Sequence, residues 1–166
     1  MQVIGTTFFR AAYDANRSRS PAIKFCNAWR CALSSTFQDL GLSETTLAAV
    51  AQMGYNAPTP VQEQAIPLAL EGRDVVAAAV TGTGKTTAFA LPVIERIDRA
   101  KKPGSPRALV VSPTRELALQ IDAACTQLAK ASNRRMLTVM GGTKYKGQIA
   151  KLDRGIDVLV ATPGRL

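Results

Sequence analysis

The sequence predicts an α/β domain, a parallel sheet with helices on both faces. Four short apolar runs, residues 74–78, 107–112, 136–140 and 157–160, are partly β-branched and read as buried strands. Each is followed by a turn rich in Gly, Pro or Thr, and the first three turns lead on to segments of helical spacing. Buried strands alternating with helices give a parallel sheet covered on both sides. A third observation says where the chemistry would sit. Ala79-Val80-Thr81-Gly82-Thr83-Gly84-Lys85-Thr86 joins the first of these strands to its helix, and ligands on such sheets bind beyond the carboxyl ends of the strands.

Taken in order, residues 1–35 differ in texture from the rest. Arg10, Arg17, Arg19, Lys24 and Arg30 are scattered among Ser, Ala and aromatics, with Asp14 the one acid. That composition suits a basic, disordered extension, or alternatively a mitochondrial-type transit peptide. The domain is expected over residues 36–166. After Phe37 and Leu40, Ser43 is a candidate N-cap for a helix with Leu47, Val50 and Ala51 at helical spacing, stopped by Gly54. Thr59 can cap a second helix with Pro60 at its first position, and Gln62 stands three residues after the cap, the spacing of a capping box. The functional alternative for Gln62 is that its carboxamide, with both donor and acceptor, pairs with an adenine edge.

The strand at 74–78, the glycine turn and the helix that opens with Lys85-Thr86 make a phosphate cradle. Glycine lacks Cβ, so the backbone can approach an anion closely and turn successive N–H groups toward it. The helix N-terminus adds about half a positive charge. Lys85 would reach the β- and γ-phosphates, and the Thr86 hydroxyl would be offered to Mg²⁺. Ala79 stands where the usual G-x4-G-K-[ST] pattern begins with Gly.

The helix after the loop has Phe89, Leu91, Val93, Ile94 and Ile97 for a buried face, with Pro92 expected to kink it. The strand at 107–112 leads to Pro113-Thr114-Arg115-Glu116-Leu117, which opens a helix whose inner face is Leu117, Ile121, Cys125 and Leu128. The strand at 136–140 runs into Gly141-Gly142, a short helix follows over 148–152, and the strand at 157–160 ends in Thr162-Pro163-Gly164-Arg165.

Composition narrows the function classes. A length of 166 residues gives one domain at most, with 21 basic against 12 acidic residues and a net charge of +9. The excess favours a polyanionic partner. With no His there is no imidazole base or ligand. Cys26, Cys31 and Cys125 are odd in number without a C-x-x-C, which argues against disulfide and metal roles and fits a reducing compartment. No apolar run approaches the ~18 residues that span a bilayer, so the expectation is a cytoplasmic protein with no membrane partner.

Five strings in one order resemble the DEAD-box ATP-dependent RNA helicases, the bacterial kind most of all. Phe37 with Gly54-Tyr55 and Pro58-Thr59-Pro60-Val61-Gln62 is similar to that family's Q motif, and residues 79–86 to its phosphate-binding motif. Residues 113–117, Gly141-Gly142 with Gln148, and residues 162–165 are similar to its RNA-contact motifs. The resemblance implies the N-terminal part of a RecA-like P-loop NTPase domain, ATP and Mg²⁺ as cofactors, and RNA as a sequence-tolerant partner held by its backbone. It implies that Phe37 stacks on adenine, Gln62 reads its edge and Tyr55 supports the pocket. Pro113, Thr114, Arg115, Glu116, Gly141, Gly142, Gln148, Thr162, Pro163, Gly164 and Arg165 would lie at the RNA. A shorter alternative is a nucleotide- or RNA-binding module without catalysis.

The chain departs from the family pattern twice. Val80 stands where the family usually has Gln, which removes a side-chain contact but not the backbone cradle. The D-E-A-D and S-A-T strings do not occur in residues 1–166. The carboxylates that hold Mg²⁺ and place water are therefore not among these residues, and the chain by itself is expected to be inactive in hydrolysis. Family topology also implies that Val75 and Ala77 lie along an unpaired strand edge, an aggregation hazard.

Overall fold

The computed structural model describes residues 7–9, 23–24, 36–97, 106–142 and 145–166. The chain divides into two compact units, residues 1–95 and 96–166, where its length predicts one.

In the first unit, β1 (Thr7–Phe9) and β2 (Ile23–Lys24) flank β3 (Val75–Ala77), in the order β1-β3-β2. β1 runs antiparallel to β3, with Phe8 opposite Val76, and β2 runs parallel to it, with Ile23 opposite Val75. The unpaired edge expected at Val75 and Ala77 is therefore absent: strands from the N-terminal stretch take up the hydrogen-bonding groups on both sides of β3. The rest of residues 1–35, and with it the readings of a disordered extension or a transit peptide, lies outside the described residues.

A single 3₁₀ turn, Phe37–Leu40, precedes the helices of this unit. Asp39 accepts from the Thr36 amide at 2.7 Å and from the Thr36 hydroxyl at 2.9 Å. The backbone contact first, and then the hydroxyl, hold the Asp39 carboxyl below its ordinary value. α1 (Glu44–Gln52) starts at Ser43, whose hydroxyl accepts from the Thr46 amide at 3.4 Å. α2 (Pro60–Leu70) starts at Thr59 with Pro60 in its first turn, as the sequence predicts. α3 (Lys85–Arg96) runs through Pro92 without ending, its inner face made by Leu91, Val93 and Ile94. Glu95 near its end accepts from Ser43 at 3.0 Å and from Thr46 at 2.5 Å, which fastens α3 to the start of α1. Ala65, Ala69, Val75 and Ala88 form one apolar cluster between α2, β3 and α3.

The second unit is a three-stranded parallel sheet in the order β4-β6-β5: β4 (Ala108–Val111), β6 (Val158–Ala161) and β5 (Met136–Val139). α4 (Arg115–Ala131) and α5 (Tyr145–Leu152) connect them. Alternation assigns the faces. Leu137, Val139, Leu159 and Ala161 pack with Ile156 and with Leu152 of α5. Thr138 points the other way and donates to Asp122 of α4 at 2.6 Å, so helices cover both faces. β6 is central and buried along its whole length. β4 is not the buried strand that its apolar run predicts. Among the described residues it pairs on one side only, and Leu109 and Val111 are 48% and 51% exposed.

Candidate functional site

The predicted nucleotide residues lie in the first unit and form one hydrogen-bonded assembly. Gln62 completes the capping box of α2: its Oε1 accepts from the Thr59 amide at 2.9 Å. Its Nε2 donates to the carbonyl of Gly84 at 3.2 Å, and the Thr59 hydroxyl donates to the carbonyl of Thr83 at 2.8 Å. The start of α2 is thus clasped to the phosphate loop at two consecutive carbonyls. Gln62 is only 2% exposed. A Cβ added to Gly84 would lie 2.4 Å from Gln62 Nε2, and the residue has φ +82, so glycine is required here twice over.

The loop itself closes round Lys85. Its ammonium donates to the carbonyl of Ala79 and, at 2.9 Å, to that of Val80. The Thr83 hydroxyl returns to the Val80 carbonyl at 2.7 Å. Val80, the departure from the family pattern, is 65% exposed, so its side chain contributes nothing to this packing. Thr81 and Gly82 are exposed, and Thr86 is half-buried in the first turn of α3. Tyr55 is 37% exposed, with its hydroxyl at 3.5 Å from the buried Thr87 hydroxyl. Phe37 is only 5% exposed, so little of its ring is presented for stacking.

The predicted RNA residues lie in the second unit. The register sets Val111, Ala161 and Val139 level with one another, so the three turns that follow leave the sheet from one rim. Thr114 caps α4, accepting from the Leu117 amide at 3.2 Å, and buried Ser112 donates to the Thr114 carbonyl at 3.1 Å. Pro113, Arg115 and Glu116 are exposed. Thr162 is 8% exposed; Pro163 and Gly164 are exposed, in a single 3₁₀ turn that ends at Arg165.

These turns meet around residues 140–142. Arg165 Nε donates to the Met140 carbonyl at 3.2 Å, and Gln148 Nε2 lies 3.5 Å from the same oxygen. The Arg115 guanidinium lies over the two glycines. A Cβ on Gly141 would be 2.9 Å from its Nη2, and one on Gly142 2.9 Å from its Nη1. Gly141-Gly142 is therefore the room that Arg115 occupies. The sequence gives no sign of the Met140 carbonyl as a meeting point, because a backbone oxygen carries no residue signature. The second hydrogen bond of the clasp, from Thr59 to the loop, is hidden for the same reason.

Two further polar residues are structural. Asp157, fully buried, accepts from the Arg135 amide at 2.7 Å and so is committed to the fold. Cys125 is a buried residue of α4, and burial first, with Asp122 second, pushes its thiol up to about 12.

A glycine loop wrapped round a lysine at the start of a helix, on a unit adjoining a parallel α/β sheet in sequence, defines a phosphate-loop α/β protein of the RecA-like class. The comparisons give the family. The model of the DEAD/DEAH box helicases matches residues 59–166, and the chain belongs to that family. It is 48% identical over 134 residues to the RNA helicase CrhR of Synechocystis, covering 81% of this chain and 27% of that protein. It is 47% identical to the ATP-dependent RNA helicase DeaD of Haemophilus influenzae, covering 79% of this chain and 21% of that one. Among solved structures, the RNA helicase Prp28 of Chaetomium thermophilum bound to ADP superposes with a TM-score of 0.73 at 38% identity, covering 78% of this chain and 32% of that one. The chain thus spans about a quarter of the length of these relatives. Among the described residues no helix is long and apolar enough to cross a membrane.

Proposed function

We propose that residues 36–166 are the ATP- and RNA-binding front part of a DEAD-box RNA helicase domain, working where RNA is at hand in the cytoplasm. One observation carries the RNA half. Arg115 and Arg165 come from two different turns, and both lie against the Met140–Gly142 segment of a third. Cations and backbone amides gathered on one rim suit successive phosphates and ribose hydroxyls of a single strand, and they read no base. Thr114, Gln148 and Thr162 would complete that grip.

For the nucleotide half, the loop geometry fits a triphosphate. Lys85 already holds its ammonium inside the loop, where an anion would take the place of the two carbonyls it now meets. Thr86 would supply one oxygen to Mg²⁺. Bound there, Mg²⁺ would supply positive charge against the phosphates. Gln62 and Phe37 would meet adenine once the buried amide and ring are drawn outward, with Tyr55 beside them. Asp157, buried and held by the Arg135 amide, is committed to the fold rather than to the metal. The reading for residues 1–166 alone is binding without turnover.

RNA binding tests the proposal. The full chain should bind a single-stranded oligouridylate, with log affinity falling against log salt at roughly −0.7 per phosphate neutralised. Arg115→Ala should flatten that slope by a little under one unit. A slope that does not change on substitution removes Arg115 from the interface.

A further inference from the structure

At the opposite end of β5 from the RNA rim, the second unit carries a pocket of about 340 Å³. Lys130, Arg134, Arg135, Lys151 and Arg154 line it. They come from three places: the last turn of α4 and the turn after it, the end of α5, and the turn before β6. Met136 and Ile156 supply an apolar floor.

Five cations round one pocket repel one another. Asp157 lies 4.0 Å from Arg135 Nε and is itself fully buried. Asp157 also accepts from the Arg135 amide, and the Arg135 guanidinium donates to the Arg154 carbonyl, so Arg135 is braced into the wall. The Nε atoms of Arg134 and Arg135 are both buried and have no hydrogen-bond partner among the described residues. A buried guanidinium nitrogen without an acceptor is unfavourable by itself, and an anion in the pocket would pair with such a guanidinium once its side chain turned outward.

We infer that this pocket is a second RNA contact, which takes a phosphodiester of the strand and the sugar attached to it. Guanidinium groups pair with phosphate oxygens two at a time, and lysines add charge without fixed geometry. The volume is in the range of pockets that hold a small-molecule unit, larger than a lone carboxylate needs. An apolar floor beside a cationic wall suits a ribose and base beside their phosphate. The pocket lies at Met136 and the rim at Gly141-Gly142, about 15 Å apart at the rise of an extended strand. A strand held at both ends of the sheet would be gripped at two separate places. The inference rests on the RNA-binding reading above, and it adds a site that the strand-end motifs do not include.

The test uses the full chain, an oligouridylate and UMP, with affinity followed across salt. Lys151 and Arg154 are exposed, so Lys151→Ala with Arg154→Ala should leave the melting temperature unchanged. The double variant should lower the salt slope by roughly 0.7 for each phosphate contact removed, on top of the change from Arg115→Ala. Arg154→Lys should recover part of the loss. If the unsubstituted chain binds no RNA, both readings fall. If it binds, and Arg115→Ala changes the slope while the double variant does not, the pocket inference alone is overturned. If the double variant loses UMP but keeps its RNA slope, the pocket takes a free nucleotide and the RNA assignment is wrong.

Discussion

Replacing Gln62 separates the contribution of its amide from that of its bulk. The side chain is 2% exposed and makes two hydrogen bonds, one from the Thr59 amide at 2.9 Å and one to the Gly84 carbonyl at 3.2 Å. Gln62→Ala removes half of a capping box, about 1 kcal/mol. It also leaves the loop carbonyl without its donor, another ~1 kcal/mol net, and opens a small void. The expected total is about 2–4 kcal/mol. In a chain of this size that lowers the melting temperature by about 5–15 °C. Gln62→Met fills most of the volume and makes neither hydrogen bond. It should therefore keep about 2 kcal/mol of the loss, and the difference between the two variants measures packing. Thermal melts and urea titrations of the three proteins read this directly. A Gln62→Met protein within ~0.5 kcal/mol of the parent would mean that the clasp contributes nothing, and the reasoning fails. Nucleotide binding adds a second readout: if Gln62 also reads adenine, Gln62→Ala should weaken ATP more than inorganic triphosphate. Equal losses would assign Gln62 to the loop alone.

Asp157→Ala should destabilise the second unit by about 2–4 kcal/mol, because the Arg135 amide loses its buried acceptor and the Arg135 guanidinium the charge beside it. Asp157→Asn, which keeps an oxygen for the amide, should lose less; urea denaturation orders the variants, and equal losses would refute the account. Cys125 gives a pH signature. Its folded thiol lies at about 12 against an ordinary 9.0, so its contribution is complete below about pH 9. It should then be lost at ~1.4 kcal/mol per pH unit as pH rises toward 12, since the unfolded thiol ionises first. The stability difference between the parent and Cys125→Ala should be flat below pH 9 and narrow above it. A difference that is constant with pH would mean that the thiol is not protected.

How much was legible follows from what each feature writes into the chain. Apolar runs mark strands, so β3, β5 and β6 are found within a residue or two at each end. Capping chemistry is equally local, and Thr59, Pro60 and Gln62 announce the start of α2 in the order the structure uses. Burial of β4 was not legible, because a run such as Ala108–Val111 reads the same on an edge as in the centre. Only the pairing, β4 to β6 and to no other strand in its sheet, exposes Leu109 and Val111. β1 and β2 were illegible for a different reason. Strands of three and two residues are too short to display a period. Their basic surroundings, moreover, have the composition of an unstructured tail.

The two readings of Gln62, cap and adenine reader, are not alternatives of equal standing in the folded chain. Its oxygen and its NH₂ are both engaged, and the same holds for the Lys85 ammonium and for the Thr59 hydroxyl. A nucleotide that reaches these groups therefore exchanges hydrogen bonds rather than adding them. Each exchange is worth the small difference between two satisfied states, not the 4–6 kcal/mol of a bond formed from nothing. Charge is where the exchange favours the ligand: Lys85 trades two neutral carbonyls for phosphate oxygens, and charge-assisted bonds are roughly twice as strong. Phosphate affinity should thus rest chiefly on Lys85. If the base enters at Gln62, drawing its amide outward would release the carbonyl of Gly84 at the foot of α3 and so couple base entry to the freedom of the loop.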